Sequence, residues 1–243
     1  MAHYYKGRCL YDAGQFDAAI TEFNDAATQN PNKFLYAVWN GISLIKLAQS
    51  SEALQVFTSV IDKYEELQSP SQEDHTEAAM AYFYRATQRK LINRRSEAND
   101  DFNKAIQLDP KNATYYEGYA VFLYESEQLN KCLAQIQILE TLVPEDIDAR
   151  ALFTKGLALL KIGKRNDALE ALEKAKEKGF GERSDSGIIG IREPAEIYER
   201  LGYLYRDMGR KTEAKANLIQ FLTQSKTLSP SAAHDIQGDI DKL

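Results

Sequence analysis

The sequence predicts an all-α solenoid of antiparallel helix pairs. Three observations predict it: apolar residues recur with a helical period along nearly the whole chain, one spacing of small and large residues repeats six times, and turn and stop residues fall at matching points of that repeat. More than about two-thirds of the residues are therefore expected in helices, with no sheet.

The repeat is anchored by small residues at Ala19, Ala53, Ala98, Cys132, Ala168 and Ala214. Four residues on stand Phe23, Phe57, Phe102, Ile136, Leu172 and Leu218, and three further on stand Ala26, Val60, Ala105, Leu139, Ala175 and Phe221. Twelve residues before each anchor lies another small residue, at Gly7, Gly41, Ala86, Ala120, Gly156 and Gly202. Two antiparallel helices approach closely only where Gly or Ala on one faces a large side chain on the other, so this spacing describes a hairpin seam. Gly14, Gly163 and Gly209 supply turns between the helices, and Pro31, Pro110 and Pro144 close second helices.

From Gly7 to Pro31 (GRCLYDAGQFDAAITEFNDAATQNP) and from Gly156 to Ala175 (GLALLKIGKRNDALEALEKA) the chain resembles the tetratricopeptide repeat family. The resemblance covers nearly all of residues 1–228, with six repeats expected at about 1–33, 34–67, 79–112, 113–146, 149–182 and 195–228. It implies one right-handed superhelical solenoid of antiparallel helix pairs over 1–243. Arg89 stands where an apolar or aromatic residue is usual, and repeats 2, 5 and 6 lack the closing proline, so these are expected to pack less regularly. Insertions 68–78 (QSPSQEDHTEA) and 183–194 (RSDSGIIGIREP) read either as loops or as extensions of flanking helices. After Ser229 and Pro230, the spacing of Ala233, Ile236, Ile240 and Leu243 predicts a capping helix at about 230–243. The first repeat starts at the very N-terminus, which reads as a domain cut from a longer protein or as a short native chain.

Composition narrows the function. A chain 44% hydrophobic and 27% charged is that of a folded protein. Net charge is -6 and Lys and Arg are scattered, so nucleic acid is not an expected partner. There is neither an apolar run of membrane-spanning length nor a secretory leader in the sequence as given, and a cytoplasmic protein without membrane insertion is expected. Cys9 and Cys132 read as reduced core thiols.

No motif points to catalysis, a cofactor or a metal. His3, His75 and His234 are far apart in sequence and lack metal-ligand spacing, and Gly181–Gly190 (GERSDSGIIG) lacks the lysine and strand of a phosphate loop, leaving Ser184 and Ser186 without nucleophile status. The pairs Asp100–Asp101 and Glu65–Glu66 read as solvated helix faces. Asn112-Ala113-Thr114 is a glycosylation sequon without secretory context.

The resemblance implies a concave face built by the first helix of each repeat. Repeat 1 would contribute Tyr4, Arg8 and Tyr11, repeat 2 Leu35, Val38, Ile42 and Ile45, and repeat 3 Met80, Phe83, Thr87 and Lys90. Repeat 4 would add Thr114, Glu117, Val121 and Tyr124, repeat 5 Arg150, Phe153, Leu157 and Leu160, and repeat 6 the polar set Glu196, Glu199, Tyr203 and Arg206. Apolar members of this face exceed the seam's needs and read as a binding surface, with Val38, Ile42 and Phe83 as anchors; burial by a tight superhelix or the capping helix is the alternative. The family's clamp for C-terminal carboxylates is missing, because Tyr4, Arg8, Trp39, Met80 and Tyr84 occupy its places. The expected function is thus a non-catalytic scaffold or adaptor that takes a partner's amphipathic helix or extended peptide. The alternatives are a regulatory or targeting domain of a larger, enzymatic protein, and self-association through the first repeat.

Overall fold

Residues 1–180 and 195–243 are described by the computed structural model, and among them every regular element is an α-helix. The first unit, Met1–Tyr115, holds α1 (Ala2–Asp12), α2 (Phe16–Gln29), α3 (Phe34–Lys46), α4 (Ser50–Glu65), α5 (Gln72–Leu91), α6 (Arg95–Leu108) and the start of α7 (Ala113–Glu125). The second, Tyr116–Leu243, holds the rest of α7 with α8 (Leu129–Leu142), α9 (Ala149–Lys161), α10 (Arg165–Lys178), α11 (Glu196–Asp207), α12 (Lys211–Gln224) and α13 (Pro230–Asp241). From α1 to α6, and again from α8 to α13, each helix packs on the next one in sequence; α3 also meets α5. Packing on sequence neighbours is the signature of a helical-repeat solenoid.

The seam forms as its volumes require. A Cβ added to Gly7 would lie 2.7 Å from the Phe23 ring, to Gly41 2.5 Å from Phe57, to Gly156 2.6 Å from Leu172, and to Gly202 2.7 Å from Leu218. The anchors Ala19, Ala53, Ala98, Cys132, Ala168 and Ala214 are all fully buried, as are the large residues that follow them. Ala98→Leu or Ala168→Leu should therefore overpack and cost roughly 1–3 kcal/mol, read as a lowered thermal midpoint; an unchanged melt for both would contradict this packing register.

Seven residues after the first small residue of each pair, the chain turns through the left-handed region. Glycine fills three of these positions, Gly14 (φ 74°), Gly163 (φ 80°) and Gly209 (φ 76°), but Ala48 (φ 59°), Asn93 (φ 62°) and Glu127 (φ 57°) fill the others. An L-residue there costs roughly 1–2 kcal/mol, so at these three turns the flanking helix packing sets the backbone against local preference.

Several expectations resolve at the helix ends. The insertion 68–78 lengthens α5: Ser71 caps it, its Oγ accepting from Asp74 N while its own N–H donates to the Asp74 carboxylate at 2.8 Å. The insertion 183–194, and with it Ser184 and Ser186, lies outside the described residues. Repeats without a closing proline pack as tightly as the others at the seam, Val60, Ala175 and Phe221 being buried; α10 ends instead at Gly179 (φ 68°), and α4 runs to 16 residues. Ser229 caps α13 by accepting from Ala232 N, and Ile236 and Ile240 bury themselves against Leu218, Phe221 and Ala195.

The reading of both cysteines as core thiols needs correction. Cys132 is fully buried, and burial pushes its thiol up to about 12, but Cys9 is exposed. It stands two residues from Gly7, roughly 200° around the helix from the seam.

Candidate functional site

In the first unit the predicted binding face divides into a buried part and a half-exposed part. Tyr11, Val38, Ile42, Phe83 and Thr87 are all buried, and the three expected anchors are among the least exposed residues of the unit, Val38 at 0%, Ile42 at 2% and Phe83 at 1%. They belong to the core, which corrects their reading as surplus to it. The reason is the number of neighbours: α3 packs on α2, α4 and α5 together, and the Phe83 ring sits edge-on to Phe102 at 5.8 Å and 5.1 Å from Tyr115. Leu35 and Ile45, toward the two ends of α3, remain half-exposed, as do Tyr4, Arg8, Met80, Lys90 and Thr114.

Arg8 and Trp39 form the distinctive contact of this face. The Arg8 guanidinium carbon lies 3.6 Å from the Trp39 ring centroid, a stacked cation–π geometry. Tyr11 presents its edge to the same indole at 5.3 Å, and Tyr4, one turn before Arg8, packs on Tyr36 at 5.3 Å. The Arg8 Nε is buried without a hydrogen-bond partner. Every other arginine of this unit has an oxygen partner: Arg85 and Arg89 on Asp101, Arg94 on Glu97, Arg95 on the Asn93 side chain.

In the second unit Glu117, Val121 and Phe153 are likewise buried, the Phe153 ring lying edge-on to Phe180 at 6.0 Å. Tyr124, Arg150, Leu157, Leu160, Glu196, Glu199 and Tyr203 are half-exposed, and Arg206 is exposed. Lys161 stands over the Tyr124 ring at 4.6 Å and pairs with Glu127 at 2.5 Å, a contact that raises its pKa. Tyr203 and Arg206 are turned to the capping helix, the Tyr203 hydroxyl donating to Asp239 at 3.5 Å.

One further reading changes. Asp101 is not on a solvated face: at 3% exposure it accepts from Arg85 Nε at 2.9 Å and Nη2 at 2.8 Å, and from Arg89 Nη1 at 2.6 Å. The signal was present, since Asp101 lies three residues after Ala98 and four before Ala105, on the seam side of α6. Asp100, Glu65 and Glu66 are exposed, and Glu65 accepts a hydrogen bond from the Tyr82 hydroxyl at 2.6 Å. The His3 Nδ1 lies 2.7 Å from Glu22 and 3.7 Å from Asp25, with the three candidate ligand atoms within 4.8 Å of one another. Lys6 neutralises the other Glu22 oxygen at 2.5 Å and, with His3, holds that carboxyl below its usual range.

Models of the tetratricopeptide repeat match residues 1–33, 149–177 and 195–227. These stretches are tetratricopeptide repeats. Solved structures similar to it include a pilF protein of Pseudomonas aeruginosa at 17% identity (TM-score 0.66, covering 92% of this chain and 85% of that one). A tetratricopeptide repeat protein from Parabacteroides merdae is 14% identical (TM-score 0.65, 99% and 85%). YrrB, described as having an unusual peptide-binding site, is 19% identical (TM-score 0.60, 91% and 98%). At these identities the likeness is one of fold. No curated protein sequence matches the chain. Like other tetratricopeptide-repeat chains it is built as a protein–protein interaction scaffold, and none of its described helices is long and apolar enough to cross a membrane.

Proposed function

We propose that this tetratricopeptide-repeat chain is a non-catalytic adaptor that takes a linear segment of a partner protein, as an amphipathic helix or extended peptide, on the face formed by α1, α3 and α5. The observation carrying this reading is the set of half-exposed side chains that survives after the buried positions are removed: Tyr4, Arg8, Leu35, Ile45 and Met80 on successive first helices of one unit. Aliphatic and aromatic groups left partly wet beside a charged one are what a peptide-binding surface requires, with apolar contacts for affinity and the charge for orientation. The half-exposed residues of the second unit, Tyr124, Arg150 and Leu157, belong to the same proposal as a separate contact surface.

The test is selection from a displayed library of random dodecamer peptides against the full chain. Peptides selected by the wild type should lose binding to Ile45→Asp/Met80→Asp, because each carboxylate would be desolvated against apolar partner groups. They should still bind Glu52→Lys/Asp62→Lys, changed at exposed positions of α4. Binding that survives the first variant and fails in the second would move the interface off this face.

A further inference from the structure

The proposed binding face carries one guanidinium to which no described residue offers an oxygen partner. Arg8 makes no hydrogen bond or ion pair with any described residue, although it is half-buried and its Nε is wholly shielded from water. Burying part of a guanidinium without an oxygen partner is costly. Elsewhere in this unit each arginine has at least one oxygen partner, Asp101 taking Arg85 and Arg89 together, although the Arg89 Nε is itself left unpaired. At Arg8 the indole of Trp39 holds the guanidinium by its flat face at 3.6 Å. Stacking of this kind fixes the plane and, with Nε shielded, leaves the terminal Nη1 and Nη2 groups as the part able to meet an acceptor, an end that can take a carboxylate with two parallel hydrogen bonds.

We propose that Arg8, held on Trp39, receives the side-chain carboxylate of an Asp or Glu within the partner's linear segment. The proposal rests on the binding face argued above and specifies its chemistry. Three features choose this occupant. A single unpaired cation matches a single carboxylate, whereas a nucleic-acid backbone would need several, and the chain's net charge of -6 opposes a polyanion. The half-exposed Leu35, Ile45 and Met80 suit the apolar residues of a peptide flanking its acid. An internal acid rather than a chain end is chosen because, although Arg8 itself stands at one of the places of a C-terminal carboxylate clamp, Tyr4, Trp39, Met80 and Tyr84 fill the others and supply no second cation or amide.

Trp39 is the sole tryptophan, so its fluorescence reports on this contact without a label. The probe is a random dodecamer library displayed with its C-termini fused, so that only internal acids are offered, followed by the most enriched sequence made as a C-terminal amide. Peptides selected by the wild type should be enriched in Asp or Glu, perturb Trp39 emission on binding, and weaken as salt rises. Arg8→Gln should weaken the chosen peptide about tenfold or more, and Arg8→Glu should select Lys or Arg at the same place. Selected peptides without acidic enrichment, or an acidic peptide bound equally by wild type and both Arg8 variants, would overturn the inference. The face itself would stand in that case if Ile45→Asp/Met80→Asp still abolished binding. Insensitivity to that variant would sink the face as well, and enrichment of nothing above an unrelated helical protein would sink both. A peptide that binds only with a free C-terminal carboxylate would replace the internal acid with a chain end and overturn the proposal as stated. Arg8→Gln keeps a polar planar group on the indole, so it remains informative if Arg8→Glu fails to fold.

Discussion

Asp101→Asn is expected to destabilise the protein by about 3–5 kcal/mol, a loss typical of breaking a buried ion pair from one side. The single carboxylate serves two guanidiniums: Arg85 binds it in a fork at 2.9 and 2.8 Å, and Arg89 reaches it at 2.6 Å. All three side chains are largely dry, at 10%, 4% and 15% exposure for Arg85, Asp101 and Arg89. Glu97, which is more exposed, offers Arg89 a second partner at 3.2 Å, whereas Arg85 has in reserve the Thr58 hydroxyl at 3.4 Å and the Tyr82 ring at 5.4 Å. Chemical denaturation of the variant checks the size of the effect, and Arg85→Met in the Asp101→Asn background should recover part of the loss by removing the stranded charge. No recovery would show that the carboxylate acts by some route other than pairing with Arg85.

Phe57→Ala should cost a similar amount, about 3–5 kcal/mol, since the ring is fully buried and fills the gap left by Gly41. A second change makes the geometry testable beyond the size of a cavity. In the wild type, Gly41→Ala would drive a methyl to 2.5 Å from the ring and should cost roughly 1–3 kcal/mol. With Phe57 already Ala, that clash is gone, and the same change should stabilise by up to about 1 kcal/mol through helix propensity. The sign reversal in a double-mutant cycle is the expected result; equal effects in the two backgrounds would mean that Gly41 and Phe57 do not meet.

The seam was legible in the sequence because it depends on volumes at fixed helical offsets, which residue types state directly. Gly7 against Phe23 and Gly156 against Leu172 needed no tertiary knowledge to pair. The binding face was legible only as a set of candidates, since periodicity says which side of α3 Val38 and Ile42 occupy but not how many helices lie against that side. Three do, and the apolar run that looked like a surface is core. Asp101 was misread for a related reason: its chemistry resembles that of its exposed neighbour Asp100, and burial depends on Arg85, sixteen residues earlier on the facing helix. Trp39 had no motif to announce it, because its role comes from Arg8 reaching across from α1.

The way each helix leans on the next one along the chain also governs how the protein is made. Few contacts within a unit must wait for a distant stretch of sequence, so loop closure is cheap and ordering can begin at any hairpin and spread to its neighbours. During synthesis a hairpin such as α1–α2 has its principal contact surface available as soon as α3 has emerged. The exposed apolar seam that a nascent chain must hide is therefore short at every moment, and the burden on chaperones scales with one repeat rather than with the whole length.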